Sequence, residues 1–278
     1  MLRSLFLAAL IAACFVTTGS AQSPSTTAAP AASPSAKPVT KKAAPKARTA
    51  AKQSAAADVG PCKFGVISAL GGEFAVQKFG ITIFETEESE VPIEDWGLDD
   101  LVLARVRAAT GADPAVRRIA YPRDAFEPFY HPKSTLLPDP REGLSAIVKS
   151  ITTNASCQRY LVVTKFKGDL PGTRLTLNGI GAYNRGLGSL IRHSHLFANI
   201  AVHVLDGGTY EKVDHPLADF GTRLSQSVRI TEDPLTRLDN SLFPEPPATA
   251  SASVTLRERT RALIAAQLDQ TLPNHLKD

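Results

Sequence analysis

Six stretches of the chain combine apolar character with β-branched residues and therefore predict β-strands. Between them, residues 99–110 and 142–154 carry apolar residues at helical spacing; Asp99 and Asp100 suit the start of the first helix, and Gly111 suits its end. The order of these elements predicts an α/β or α+β fold, with helices packed on a mixed β-sheet of about six strands. The predicted strands are 64–70, 79–84, 116–121, 160–166, 175–183 and 196–205.

The pattern also predicts which strands are central. Stretches 64–70 and 160–166 are apolar almost without interruption, which is typical of strands buried on both faces. In 193–206 the apolar residues alternate, so only one face meets the core. The glycines Gly207 and Gly208 then predict a tight turn and a β-hairpin.

The C-terminal part predicts one further helix. A Pro-rich stretch at 244–252 predicts a stiff linker after a domain that covers residues 58–243. Beyond it, Thr255 and Glu258 have capping-box spacing, and apolar residues recur at multiples of four until Pro273. We expect this helix, 253–278, to dock on its own domain, since an isolated helix of this length is marginally stable. Docking on a partner is the alternative.

Residues 1–21 have the features of an export signal. Arg3 precedes an apolar run at 5–16 that is too short to span a bilayer, and small residues lead to a predicted cleavage site after Ala21. The residues before Cys14 resemble a lipobox, so a lipoprotein acylated at Cys14 is the alternative. The apolar run continues beyond Cys14, which favours cleavage after Ala21 and a periplasmic or secreted protein.

The basic charge of the chain belongs to its first 57 residues. Residues 22–57 have no aromatic and almost no large aliphatic side chain, so they predict a disordered tail. Seven of the 31 Lys and Arg residues lie in 1–57, which contains no Asp or Glu. The rest of the chain, 58–278, has the other 24 basic residues and all 27 acidic ones, so its net charge is −3. The tail therefore predicts a flexible spacer, with weak contact to a membrane surface or cell-wall polymer as the alternative. A mildly acidic domain argues against nucleic acid as a partner.

Two cysteines remain if the signal is removed, and both precede a central strand. Cys62 and Cys157 form an even pair in an oxidising compartment, and they would lie at the same end of the sheet if the strands are parallel neighbours. This arrangement favours a disulfide bond. A reactive thiol is the alternative, although the sequence has no Cys-x-x-Cys motif.

The histidines are weak candidates for a metal site. His193 and His195 would point to one face of a strand, and His215 could return across the hairpin. His203 lies about 26 Å from His195 along an extended strand, so the two cannot share one ion there. No tight ligand signature is present, which favours ordinary, partly exposed histidines over a metal site. Further ligand candidates would be Asp206 and Asp214.

Known catalytic and cofactor motifs are not matched. The glycines in 179–188 lack the third glycine of a dinucleotide fingerprint and the Lys-Ser/Thr of a P-loop, so we predict no cofactor. The acidic segment 85–100 lacks EF-hand spacing, and a solvated loop before a helix explains its charges. The sequence has neither a Gly-x-Ser-x-Gly elbow nor a His-Glu-x-x-His motif, and it predicts no catalytic residue.

Three segments carry a resemblance to other proteins. Residues 64–71, 81–84 and 96–100 resemble an uncharacterised group of exported proteobacterial proteins across most of the domain. The Gly-rich strand followed by 201–209 is similar, at the level of the fold, to the α/β domains of periplasmic assembly lipoproteins of the curli-secretion and penicillin-binding-protein activator type. This resemblance implies a binding or assembly role and assigns no residues.

We therefore expect a non-catalytic periplasmic binding or envelope-assembly module on a flexible tether. Its partner would be an envelope protein or a cell-wall polymer. The alternative is an exported hydrolase whose site is assembled in space, because such sites leave no local sequence motif. A pocket holding His193, His195 or His215 beside a carboxylate would favour the hydrolase, whereas an exposed apolar groove would favour the module.

Overall fold

The computed structural model describes residues 61–80, 86–134, 139–170, 173, 175–187, 191–213 and 236–276. The predicted signal peptide and tail, residues 1–57, lie outside these ranges and stay predictions.

The mixed α/β content confirms the predicted fold class, but the strands are distributed over three sheets. The helices are α1 (Leu98–Ala109), α2 (Glu127–Tyr130), α3 (Leu144–Ile151) and α4 (Val254–His275). The strands are β1 (Cys62–Ala69), β2 (Glu73–Phe79), β3 (Glu87–Pro92), β4 (Val116–Arg118), β5 (Cys157–Lys165), β6 (Lys167–Asp169), β7 (Thr176–Asn178), β8 (Ile180–Leu187), β9 (Ile191–Ala198), β10 (Ile200–Asp206) and β11 (Arg237–Leu238).

The first sheet has four strands in the order β10-β5-β1-β4. Strand β1 is parallel to both β4 and β5, and β10 is antiparallel to β5. Helices cover both faces of this sheet, since one core contains residues of α1 and α4 and another contains residues of α3. This double burial is why β1 and β5 read as continuous apolar runs.

The second sheet has five strands in the order β11-β9-β8-β2-β3. Strand β2 is parallel to β8 and antiparallel to β3. One face of this sheet shares the largest core with α1, α4 and the four-stranded sheet. Strands β6 and β7 form a separate antiparallel hairpin.

The predicted disulfide bond is present between Cys62 and Cys157. The two residues are register partners at the start of the parallel strands β1 and β5, and their Cα atoms lie 4.5 Å apart. This distance falls in the range that a disulfide requires. The bond therefore joins the two central strands at their amino-terminal ends.

Several predicted boundaries differ from the structure. The second strand is Glu73–Phe79, and most of the predicted strand 79–84 lies outside the described residues. The acidic segment, predicted as a loop, contains the strand β3, whose backbone pairs with β2. Helix α4 is capped by Ser253, whose Oγ accepts a hydrogen bond from the Leu256 amide at 3.3 Å, and the capping-box prediction at Thr255 was wrong. The helix also continues past Pro273, because the Leu276 amide donates to the Leu272 carbonyl at 3.0 Å and closes the last turn.

The C-terminal segments are packed against the two sheets. Leu268 and Leu272 of α4 are fully buried in the largest core. In the stretch predicted as a linker, Ala250 is buried, and the Trp96 Nε1 donates to the Ser251 carbonyl at 3.2 Å. Among the described residues, no helix is both long enough and apolar enough to span a membrane.

Candidate functional site

A cleft forms where the chain leaves the parallel strands in different directions. After β1, the turn at Gly71 and Gly72 leads into β2 of the five-stranded sheet. After β4, residues 119–130 pass to the face of the four-stranded sheet that α3 covers. In open α/β sheets, such a divergence at the carboxyl ends of strands opens a crevice in which ligands bind.

This opening, which we call the strand-end cleft, has a volume of about 580 Å³. That size lies within the range typical of small-molecule sites. Its walls come from the turn after β1, the end of β3, the segment around α2, and the junction of β5 with the β6–β7 hairpin. The lining residues are Ala69, Gly71, Gly72, Glu73, Glu90, Pro92, Glu94, Tyr121, Arg123, Phe126, Glu127, Phe129, Tyr130, His131, Pro132, Lys165, Phe166, Lys167 and Asn178.

Aromatic side chains form one wall of the strand-end cleft. The rings of Tyr121 and Phe126 meet edge to face with centroids 5.1 Å apart, and those of Phe129 and Tyr130 do so at 5.3 Å. From the β5–β6 junction, Phe166 adds a ring whose exposed fraction is 47%. Aromatic rings supply large apolar contact areas with little conformational freedom to lose, so they suit a binding surface.

The two tyrosine hydroxyls fasten this wall to the ends of β1 and β5. The Tyr121 hydroxyl donates to the Ser68 carbonyl, and the Tyr130 hydroxyl donates to the Ala69 carbonyl at 2.5 Å. The Tyr130 oxygen also accepts a hydrogen bond from the Lys165 amide at 3.1 Å. The aromatic wall is therefore held in place by backbone groups at the carboxyl ends of β1 and β5.

Both tyrosines stay protonated well above neutral pH. Burial raises the pKa of Tyr130 to about 12. Burial, and next the nearby Asp99 carboxylate, raise the pKa of Tyr121 further above its usual range. Because loss of the proton would remove the donor from each hydrogen bond, both hydroxyls act as stable donors at physiological pH.

The Lys165 side chain lies in the wall of the cleft. The Lys165 side chain is 17% exposed, and its Nζ lies 3.7 Å from the Glu73 carboxylate and 5.5 Å from the centroid of the Tyr130 ring. The Lys165 side chain runs past two glycines with positive φ, Gly71 and Gly179. A Cβ at Gly179 would lie 3.0 Å from the Lys165 Cδ, so a larger residue there would displace this side chain.

The rim of the strand-end cleft carries exposed charges of both signs. Glu94 and Arg123 form an ion pair at 3.2 Å, and the side-chain Nδ2 of Asn178 donates a hydrogen bond to the Glu90 carboxylate at 3.4 Å. The Arg123 side chain is 89% exposed, so this pair contributes little to stability. The rim therefore presents hydrogen-bond donors and acceptors without a strong excess of either sign of charge.

The histidines singled out from the sequence do not line the strand-end cleft. His193 is exposed on β9, and His195 on the same strand stacks on Tyr183 with ring centroids 5.2 Å apart. His203 lies on β10 in the four-stranded sheet, where its Nε2 lies 3.2 Å from the Thr164 Oγ1. His215 and Asp214 lie outside the described residues. Within the described part of the chain, no group of three or more His, Cys, Asp or Glu side chains is arranged to hold a metal ion.

No sequence motif marks the residues that build the cleft. His131 lines it 3.8 Å from the Glu127 carboxylate, on an exposed turn that carries no motif. A usable signal was nevertheless present, because β1 and β5 were predicted as central strands. Residues that directly follow the carboxyl ends of parallel strands are candidates for ligand binding. Applied here, that rule selects Gly71, Gly72 and Lys165–Lys167.

Comparison of the chain with protein-family models, with curated proteins and with solved structures finds no match. The resemblances to exported proteobacterial proteins and to periplasmic assembly domains therefore stay predictions. The functional assignment depends on the chemistry of the strand-end cleft.

Proposed function

We propose that this protein is a binding module of the bacterial cell envelope that takes up a small ligand in the strand-end cleft. The observation that carries the proposal is the position of the cleft at the carboxyl ends of the parallel strands β1, β4 and β5. Hydrogen bonds from Tyr121 and Tyr130 attach one wall to the end of β1, which supports a preformed binding site.

The chemistry of the walls supports binding. Aromatic rings provide apolar contact, and polar groups from several elements converge around them. This combination fits a ligand with an apolar or ring-shaped part and several polar groups, such as a short peptide or a saccharide unit of the envelope. An envelope protein or cell-wall polymer that presents such a unit would be the partner.

The proposed compartment is the periplasm or the extracellular space. The disulfide between Cys62 and Cys157 supports it, because such bonds persist in oxidising compartments. The signal-like residues 1–21 support it independently. Residues 22–57 would then act as a spacer between the domain and its surroundings.

Native mass spectrometry of residues 22–278, after incubation with a fractionated envelope extract, tests the proposal. We expect a ligand adduct that is lost in Phe166→Glu, because a charge there removes the apolar contact and disturbs the cleft wall. The matched control is Val254→Glu, since Val254 is the other exposed large apolar residue in the described part of the chain, at 54% exposure, and does not line the cleft.

Three results would decide between the hypotheses. An adduct on the wild type and on Val254→Glu, but not on Phe166→Glu, supports the binding module. An adduct that Phe166→Glu retains, or no adduct at all, contradicts it. Conversion of the ligand to a product of different mass would instead support the alternative of an exported hydrolase.

A further inference from the structure

The position of Lys165 indicates which chemical group of a ligand the strand-end cleft recognises. Its side chain is mostly buried, with 17% exposed, although a lysine side chain normally extends into solvent. The residue ends β5, and its amide is fixed by the Tyr130 hydroxyl. The ammonium therefore occupies a defined place in the cleft wall.

The neighbours of this ammonium leave its hydrogen-bonding capacity available. The Glu73 oxygen lies 3.7 Å away, beyond hydrogen-bond distance, and the Glu73 side chain is 56% exposed. The Tyr130 ring attracts the positive charge but accepts no conventional hydrogen bond from it. A ligand carboxylate that approached within about 2.8 Å would be a better partner than either.

Phe166 presents an apolar surface to the same cleft. Its amide donates to the Asn199 carbonyl at 3.0 Å, and its carbonyl accepts from the Gly179 amide at 3.1 Å. Both bonds fix the backbone, while the ring remains 47% exposed at the cleft wall. A charged donor and an exposed ring thus line the same cleft.

We propose that Lys165 binds a carboxylate of the ligand and that Phe166 packs against an apolar part of the same ligand. The ligand class is a small carboxylic acid that also has an apolar or ring-shaped face. Both the C-terminus of a peptide and an acidic sugar have this chemistry. The inference rests on the proposed function of the strand-end cleft.

Titration of the ¹⁵N-labelled domain by NMR tests this assignment with defined probes. The peptide arm compares N-acetyl-Ala-Phe-Ala with a free C-terminus against its C-terminal amide, and the sugar arm compares glucuronate with methyl glucoside. We expect at least one acid to bind about tenfold more tightly than its neutral counterpart. The arm with the larger preference identifies the source of the carboxylate.

Two variants assign the preference to this site. Lys165→Met keeps an unbranched apolar stem but removes the charged end group, and it should bind the acid as weakly as the neutral probe. Lys149→Met is the matched control, because Lys149 also lies beside an aromatic ring, 6.0 Å from the centroid of Tyr210, but outside the cleft. It should retain the full preference.

Glu73→Gln provides a second, independent measurement. Removing the competing negative charge should tighten binding of the acid several-fold and leave the neutral probe unchanged. The assignment is overturned if neither acid is preferred at millimolar concentration, or if Lys165→Met keeps the preference. If an envelope ligand still binds in the mass-spectrometric experiment, only the carboxylate assignment fails and the binding module stands.

Discussion

At the scale of single residues, Tyr130 connects the cleft wall to the sheet. Its hydroxyl joins the Ala69 carbonyl at the end of β1 to the Lys165 amide at the end of β5. These backbone groups lie where the paired register of the two strands ends. One side chain therefore satisfies two polar groups and orients the residue that we propose as the anion anchor.

Tyr130→Phe should lower the free energy of unfolding by about 1–3 kcal/mol at pH 8, because the ring stays but two hydrogen bonds are lost. The pKa of Tyr130 is raised to about 12, so its contribution is complete below the ordinary tyrosine pKa of about 10 and is lost as the pH rises towards 12. Urea unfolding at several pH values measures this. If the difference in free energy of unfolding between the wild type and Tyr130→Phe stays constant from pH 10 to 12, the raised pKa of Tyr130 is contradicted.

At the scale of elements, the molecule depends on the parallel pair β1 and β5. The disulfide joins them at one end, and Tyr130 joins them at the other. Helices α1, α3 and α4 bury both faces of their sheet. The strand-end cleft is therefore built on two strands that are joined at both ends and buried on both faces.

Replacing both Cys62 and Cys157 by Ala should lower the free energy of unfolding by about 2–5 kcal/mol. The bond closes a loop with a sequence separation of 95 residues, so it removes much conformational freedom from the unfolded chain. Denaturant unfolding of the double variant and of the oxidised wild type measures the difference. Two thiols that react with a labelling reagent in unreduced, unfolded wild type would contradict the bond itself.

Leu268→Ala should cost about 2–5 kcal/mol, because Leu268 is fully buried where α4 packs in the largest core. Val254→Ala in the first turn of the same helix is the control and should change stability by less than about 0.5 kcal/mol, since Val254 is exposed. Thermal unfolding of both variants compares them. Equal effects of the two substitutions would mean that α4 does not hold the core together.

At the scale of the whole molecule, the topology places the site. The chain leaves β1 towards the five-stranded sheet and leaves β4 towards the opposite face of the four-stranded sheet. Both sheets and the β6–β7 hairpin contribute residues to the resulting cleft. Glu73 and Lys165, which lie in contact, are 92 positions apart in sequence.

The sequence by itself determined the α/β class, the two central strands and the disulfide partners. These depend on local hydrophobic patterns and on cysteines that stand immediately before those strands. Only the tertiary structure decided that the strands divide among three sheets and that Tyr121, Tyr130 and Lys165 share a cleft. Such convergence depends on strand order and on the direction in which each connection leaves the sheet, and neither is encoded in a local pattern.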